Sequence, residues 1–324
     1  MRAAQIVSHD GPTAMKIGEA PDPTPRDGEV LIETHVAGVT FPDLLMTRGE
    51  YQMSPEFPFV PGSEVAGTVR SAPEGSGFSP GDRVVGFPGT GGFAELTACR
   101  AEAVFPLPEN FSFAQGAALP MNYLTCEFAL GRRGRLAAGE TVLVHGAAGG
   151  IGTAAIQLAK AAGGRVIAVV SSEDKAQVAR NAGADDTVMA EGFLPAVKEL
   201  TGGRGVDVIV DPVGGDRFID SLRSLAPEGR LLVVGFTGRE IPTVKVNRLL
   251  LTNTEVVGVG WGAMAFREPG FMREQWERML PLIASGAIDP PLGSAYPLEK
   301  APDALIELDE RRATGKVTIE LRPT

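Results

Sequence analysis

The chain of 324 residues is poor in the side chains that bind metals or form cross-links: it has two cysteines and three histidines. Cys99 and Cys126 cannot build a disulfide framework, so a reducing cytoplasm is the simplest expectation. They also cannot supply the four-thiolate cluster of a structural zinc. His9, His35 and His145 show no ligand spacing, and His145 ends an apolar run, which reads as a structural histidine. No apolar stretch reaches the length of a membrane span. The opening Met1–Val7 is too short and too polar for a signal peptide. A basic excess is also missing. The net charge of −10 argues against nucleic acid as the main partner, because phosphate binding needs a positive surface. Arg132, Arg133 and Arg135 cluster, but as a solvated helix end would. The hydrophobic fraction of 44% is that of a globular protein, and the length allows two domains.

What is present begins with a turn. The apolar run Val142-Leu143-Val144-His145 stops at Gly146-Ala147-Ala148-Gly149-Gly150-Ile151-Gly152, and an alanine-rich helical run follows at once. A dinucleotide fingerprint needs this strand–turn–helix context. Its glycines let backbone N–H groups approach a pyrophosphate at the helix start, where the helix dipole favours negative charge. Read as G-x-G-x-x-G, the first position is Ala147, and Gly149 and Gly152 fill the other two.

From Thr141 onward the pattern alternates. Strands are expected at 141–145, 165–170, 186–189, 206–210, 230–235 and 255–259. Helices are expected at 150–162, 173–182, 193–200 and 215–225. Short apolar strands alternating with helices imply a parallel sheet covered on both faces, and six strands make one doubly wound domain. The first 120 residues differ, with short β-like runs at 29–39, 65–69, 83–87 and 93–97 punctuated by proline and glycine. After residue 265 come a helix (268–285), Pro290-Pro291, a second helix (298–312) and a final strand (316–321). This tail is expected to lack a sheet of its own and to pack back onto the N-terminal domain. The expected division is 1–122, 123–264 and 265–324.

Phe59-Val60-Pro61-Gly62-Ser63-Glu64-Val65-Ala66-Gly67, Gly81-Asp82-Arg83-Val84, Gly92-Phe93-Ala94-Glu95 and Gln115-Gly116-Ala117-Ala118 follow in order. Asp211-Pro212-Val213-Gly214-Gly215 and Ala313-Thr314-Gly315-Lys316 follow the glycine turn. Order and spacing together resemble the medium-chain dehydrogenase/reductase superfamily, and within it the zinc-free quinone oxidoreductases that include zeta-crystallin. The resemblance covers nearly the whole chain. It implies an α/β protein, with a GroES-like β-rich substrate domain plus a doubly wound six-stranded Rossmann domain that binds NADP. The 265–324 tail would return to the first domain.

Zinc-dependent members hold a catalytic metal with cysteine and histidine. Those positions fall here at Thr40, at Ser63 and near Met121, and none is a competent zinc ligand. No metal is expected, so polarisation of a substrate carbonyl falls to hydrogen-bond donors or solvent. NAD-preferring members place an acidic residue at the end of the second nucleotide-domain strand. Here that residue is Val170, so a 2′-phosphate is tolerated, and Ser171, Ser172 and Lys175 can bind it. The resemblance also places a lysine of NADPH-using quinone reductases at Lys175. Glu173 and Asp174 read as first-turn acids of the next helix. A tyrosine that some relatives place at the adenosine phosphate end is Ala190 here, a contact that Arg180 could supply. The expected cofactor is NADPH, with Ala148, Gly149, Gly150, Ile151 and Gly152 at the pyrophosphate. Thr125, Val213, Gly235, Phe236, Thr237, Gly260, Trp261 and Gly262 are expected toward the nicotinamide, and Lys316 is also a cofactor-binding candidate.

Tyr51 and Thr40 are the catalytic candidates. Tyr51 matches a cleft tyrosine of quinone and enoyl reductases, and its phenol could donate to a substrate carbonyl. Its alternative is an amphipathic surface anchor. Thr40 replaces an asparagine usual beside the nicotinamide in zinc-free members, and Asp43 in the same turn reads as structural. Three hypotheses follow. The first is a zinc-independent NADPH-dependent reductase of a quinone or an α,β-unsaturated carbonyl, with an enoyl thioester as the alternative acceptor. The second is a non-catalytic NADPH-binding or structural protein of crystallin type, and the third is a zinc alcohol dehydrogenase. The partner expected is a small electrophilic acceptor, with no nucleic acid or membrane. A homodimer is implied by the family, whose sixth strand (here 255–259) pairs across a two-fold axis.

Overall fold

The structure is a computed structural model that describes residues 1–322. The chain forms two compact units. The first comprises Met1–Met121, Met272–Trp276 and the chain from Pro290 on. The second comprises Asn122–Phe271 and Glu277–Asp289. Where the sequence places a single return at 265, residues 265–271 and 277–289 thus group with the nucleotide-type domain.

In the first unit, β1 (Arg2–Gln5) and β2 (Lys16–Glu19) form an antiparallel pair. The larger sheet is built from β3 (Glu29–Gly38), β4 (Glu64–Ser71), β5 (Arg83–Gly86), β6 (Leu96–Arg100) and β7 (Val104–Pro106). β3 shows why: Val30, Ile32, Thr34 and Val36 are buried and Glu29, Leu31, Glu33 and His35 between them half-buried, the period of two of a strand with one covered face. The expected strand at 93–97 begins three residues later, because Phe93 lies under Gly62. A Cβ on Gly62, whose φ is +101, would come 2.6 Å from the Phe93 backbone nitrogen.

The second unit is one parallel sheet of β8 (Thr141–Val144), β9 (Arg165–Val170), β10 (Asp186–Met189), β11 (Val206–Asp211), β12 (Leu225–Val233) and β13 (Glu255–Gly258). The strand order is β10-β9-β8-β11-β12-β13, so the direction of winding reverses between β8 and β11. Ligands bind outside the carboxyl ends of the strands at such a switch point. Apolar side chains of Leu143, Ile167, Ile209, Leu231, Phe193 and Phe218 fill the core. β12 starts five residues before the expected strand, across a register irregularity opposite Val206–Val208. Among the described residues no helix is long and apolar enough to cross a membrane.

The chain then adds β14 (Leu292–Pro297) and β15 (Lys316–Glu320) to the first unit's sheet, giving the order β14-β15-β3-β4-β5-β7 with β6 on β3. β15 is antiparallel to β3 (Ile319 opposite Ala37) and parallel to β14. β14 is a correction to the sequence reading, in which Pro290-Pro291 hides it. The two prolines precede the strand, where a missing N–H costs no ladder bond.

Candidate functional site

In the second unit the glycine turn leaves β8 at the switch point. His145 N–H donates to Val210 O at 3.0 Å, tying this exit to that of β11. Gly146 has φ +58, and a Cβ there would meet Val213 and Pro212. Helix Gly150–Ala161 starts at an N-cap glycine, Gly149, and no side chain caps it. Its first N–H groups therefore remain for a ligand, and they are those to which the dipole attracts an anion. Gly152 is required by contact: its Cβ would lie 2.3 Å from Gly146 O. Ala147 and Ala148 are buried. The arrangement fits a dinucleotide pyrophosphate.

The Asp211–Gly215 turn is shaped by Asp211, whose Oδ1 accepts from Val213 N (2.8 Å) and Gly214 N (2.9 Å). The loop after β12 docks on it, with Thr237 N donating to Pro212 O and Gly238 N to Val213 O. Val213, Gly235, Phe236 and Thr237 thus stand together beside the glycine turn. Val259 N donates to Val233 O, which brings Gly260 and Gly262 to the same strand ends. Gly260 caps a short helix, Trp261–Ala265, and the Trp261 side chain is buried. Thr125 is buried in the helical segment Thr125–Glu127. At the end of β9, Ser171 and Ser172 are exposed and Lys175 is half-buried. Ser172 Oγ caps helix Glu173–Asn181 by accepting from Lys175 N. Arg180, the other candidate at the adenosine phosphate end, is ion-paired with the exposed Glu173.

His145 is buried and only partly satisfied. Its Nε2 bonds Ser221 Oγ at 2.8 Å, while Nδ1 has no partner. Desolvation pushes the imidazole down to about 4. The unfolded chain takes up this proton near the ordinary histidine value. The stability from a neutral His145 is therefore complete above pH 6.5 and is lost as pH falls toward 4, by roughly 3 kcal/mol. Asp43 has the opposite sign. Burial raises it to about 6, so its contribution is present at low pH and lost as pH rises through 6. The two oppose each other between pH 4 and 6. His145→Phe removes one of them, and its melting temperature is expected to fall less than the wild type's between pH 6.5 and 4. Parallel pH profiles would contradict the assignment.

In the first unit, Thr40 is the N-cap of helix Phe41–Met46 in a capping box with Asp43, a Thr-x-x-Asp pattern legible in sequence. Asp43 is fully buried. It accepts from Thr40 N (2.8 Å), Thr40 Oγ1 (2.6 Å) and Gly62 N (3.1 Å). Ser63 Oγ lies 3.2 Å from Thr40 Oγ1. Because Thr40 donates to Asp43, Ser63 donates to Thr40. The positions that bear zinc ligands in metal-dependent members are thus two hydroxyls bonded to each other and one thioether, Met121. This donor set does not fit zinc. Among the described residues no group of three or more His, Cys, Asp or Glu side chains is placed to hold a metal. Tyr51 is half-buried, and desolvation, then the charge of Asp43, raises its phenol above the ordinary value.

Lys316, the remaining cofactor-binding candidate, lies in the first unit's sheet at the start of β15. Its ammonium is buried against Glu64 Oε1, and Glu64 Oε2 accepts from Met121 N at 2.7 Å. Gly38 leaves the room: a Cβ there would stand 2.7 Å from both Glu64 Oε1 and Lys316 Cε. A pair between residues 252 apart has no local sequence signal. Asn122, at the start of the second unit, is a further residue that sequence reasoning missed.

The model of the zinc-binding dehydrogenase family matches residues 150–285. That of the alcohol dehydrogenase GroES-like domain matches residues 26–109. Quinone oxidoreductase-like protein 2 of Bos taurus is 40% identical over 300 residues, which is 91% of this chain and 85% of the relative. Quinone oxidoreductase of Rattus norvegicus is 33% identical over 315 residues, 94% of this chain and 92% of the relative. Among solved structures, the quinone oxidoreductase of Thermus thermophilus, described with its NADPH complex, superposes with a TM-score of 0.86 at 33% identity. That match covers 99% of this chain and 100% of the other. On its fold, its two domain models and these relatives, the chain belongs to the quinone oxidoreductase family of the medium-chain dehydrogenase/reductase superfamily.

Proposed function

We propose that the chain is a zinc-independent reductase that uses NADPH to reduce a quinone or an α,β-unsaturated carbonyl. One observation carries the reading. An uncapped, glycine-tight helix start lies at the switch point of the second unit, in a chain whose zinc-ligand positions hold Thr40, Ser63 and Met121. Bound NADPH would supply the hydride. The backbone N–H groups of Gly150–Gly152, in the turn set by Ala148 and Gly149, would hold the pyrophosphate, and Ser171, Ser172 and Lys175 would hold the 2′-phosphate. The loops carrying Val213, Gly235–Thr237 and Gly260–Gly262, with Thr125, orient the nicotinamide. Hydride addition leaves negative charge on the acceptor oxygen. Tyr51, a phenol and so protonated at neutral pH, donates to that oxygen, and water restores the proton. Thr40 stands in place of the family's amide, with its hydroxyl donated to Asp43 and accepting from Ser63.

The test follows NADPH oxidation with a 1,2-quinone, a 1,4-quinone, a 2-alkenal and an enoyl thioester. Turnover with a quinone or the alkenal supports the reading, and turnover with the thioester alone selects the alternative acceptor. NADPH binding without reduction of any acceptor selects the non-catalytic protein. Lys175→Ala is expected to raise KM for NADPH about tenfold, the scale of one lost charged hydrogen bond, and to leave KM for NADH unchanged. Equal effects on both cofactors would remove Lys175 from the 2′-phosphate site.

A homodimer is part of the proposal. β13 is one of the two edges of its sheet, and Ile241, Val246, Leu250 and Leu251 nearby in sequence are each at least 73% exposed. An apolar, open edge calls for cover, and sedimentation equilibrium reads the mass. Two buried free thiols suit a reducing compartment such as the cytoplasm.

A further inference from the structure

Asn122 is 7% exposed and precedes a segment fastened to helix Gly150–Ala161 at two levels. Tyr123 OH donates to Gln157 Oε1 at 2.7 Å, and the Cys126 thiol to Ile151 O at 3.3 Å. Gln157 is itself fixed, donating to Asp289 O at 2.7 Å and accepting from Asp289 N at 3.0 Å. This fastening lays the Asn122 amide on the first residue of the helix. A Cβ on Gly150 would come within 2.4 Å of Asn122 Nδ2 and 3.0 Å of Oδ1. Gly150 therefore has a reason to be glycine beyond backbone approach: it makes room for a polar side chain.

That side chain has no hydrogen-bond partner among the described residues. Buried amides are nearly always satisfied, so the exception needs an explanation. Among the described residues, the unpartnered polar atoms sealed from solvent are His35 Nδ1, His145 Nδ1, Trp276 Nε1 and Arg322 Nε. The Asn122 amide is not among them, so it keeps accessible surface, and it lies against Gly150 at the helix start. Two N–H donors of a primary amide thus stand beside the uncapped backbone N–H groups of Gly150 and Ile151. Converging donors on a positive helix end suit an anion.

We propose that Asn122 binds the pyrophosphate of the dinucleotide, its Nδ2 donating to a phosphate oxygen seated on the start of helix Gly150–Ala161. This rests on the NADPH reading above and adds a side-chain donor to a site otherwise made of backbone. The segment that carries Asn122 is fixed before any ligand arrives by the Tyr123 and Cys126 contacts, so little backbone freedom is lost on binding.

The experiment measures dissociation constants of wild-type protein and Asn122→Leu, a substitution of similar volume without the donor. The probes are NADPH, 2′-phosphoadenosine 5′-diphosphate, which keeps a pyrophosphate, and adenosine 2′-monophosphate, which has none. Asn122→Leu is expected to weaken the first two by about tenfold or more, the range for a hydrogen bond to a charged group, and to leave the third unchanged. Unchanged binding of the third probe also reports an intact fold. Asn122→Asp, which sets a carboxylate against the phosphate, is expected to weaken the first two further. Equal affinities of wild type and Asn122→Leu for the pyrophosphate probe would overturn the inference alone, as would parallel loss of all three. Failure of the wild-type protein to bind NADPH would overturn the cofactor reading, and this inference with it.

Discussion

Replacing Gly152 with alanine is expected to weaken NADPH binding by more than about a hundredfold, as loss of several phosphate contacts together would. The added Cβ would stand 2.3 Å from Gly146 O, 2.5 Å from Ala147 Cα and 2.6 Å from Ala147 C. All three are backbone atoms, so no rotamer change relieves the clash. The turn must open, and helix Gly150–Ala161 must move away from the end of β8. The pyrophosphate donors move with it, and misplacement on the ångström scale is costly for a preorganised site. The melting temperature should fall as well. Gly18→Ala is the control: Gly18 lies in β2 and a Cβ there meets nothing within 4 Å. A fluorescence titration that returned wild-type affinity for Gly152→Ala would sink the steric argument.

The second large effect is on stability. Lys316→Met leaves the Glu64 carboxylate, which is 0% exposed, with only the Met121 N–H. Breaking a buried ion pair from one side costs about 3–5 kcal/mol, which for a unit of this size lowers the melting temperature by roughly 10 °C. The cost comes from the stranded charge rather than from the pair. The double variant Glu64→Gln with Lys316→Met should therefore recover most of the loss. A single variant that melts within about 2 °C of the wild type, a shift equivalent to at most about 1 kcal/mol, would show that Glu64 is not carried as a buried carboxylate.

These two sites differ in how far the sequence announces them. The glycine turn is legible because each of its causes is local: an apolar strand, small residues at fixed offsets, and an alanine-rich helix. The strands Arg165–Val170 and Asp186–Met189 and the helix Phe193–Leu200 are legible for the same reason, their periods being uninterrupted. The Thr40–Asp43 capping box is also local. Lys316 is not, since its partner lies in another strand and the room for the pair comes from a third residue, Gly38. Trp261 reads as a loop residue between glycines, but Gly260 starts a helix and the indole is buried. Asn122 carries no local sequence signal. Only Gly150, 28 positions later, marks that an amide rests there. The strand Leu292–Pro297 is hidden because its burial does not alternate cleanly and two prolines precede it.

The proposed reaction passes hydride from NADPH to an electrophilic acceptor without a metal. It is tested most directly in a single-turnover experiment on protein treated with a strong chelator and shown to be free of zinc. NADPH carrying deuterium at the transferred C4 position is mixed with a 1,4-quinone, and the loss of the reduced nicotinamide's absorbance is followed. The account predicts oxidation at the rate of untreated protein, slowed by the isotope where transfer limits the rate. Loss of the reaction on zinc removal, restored by stoichiometric zinc, would contradict it.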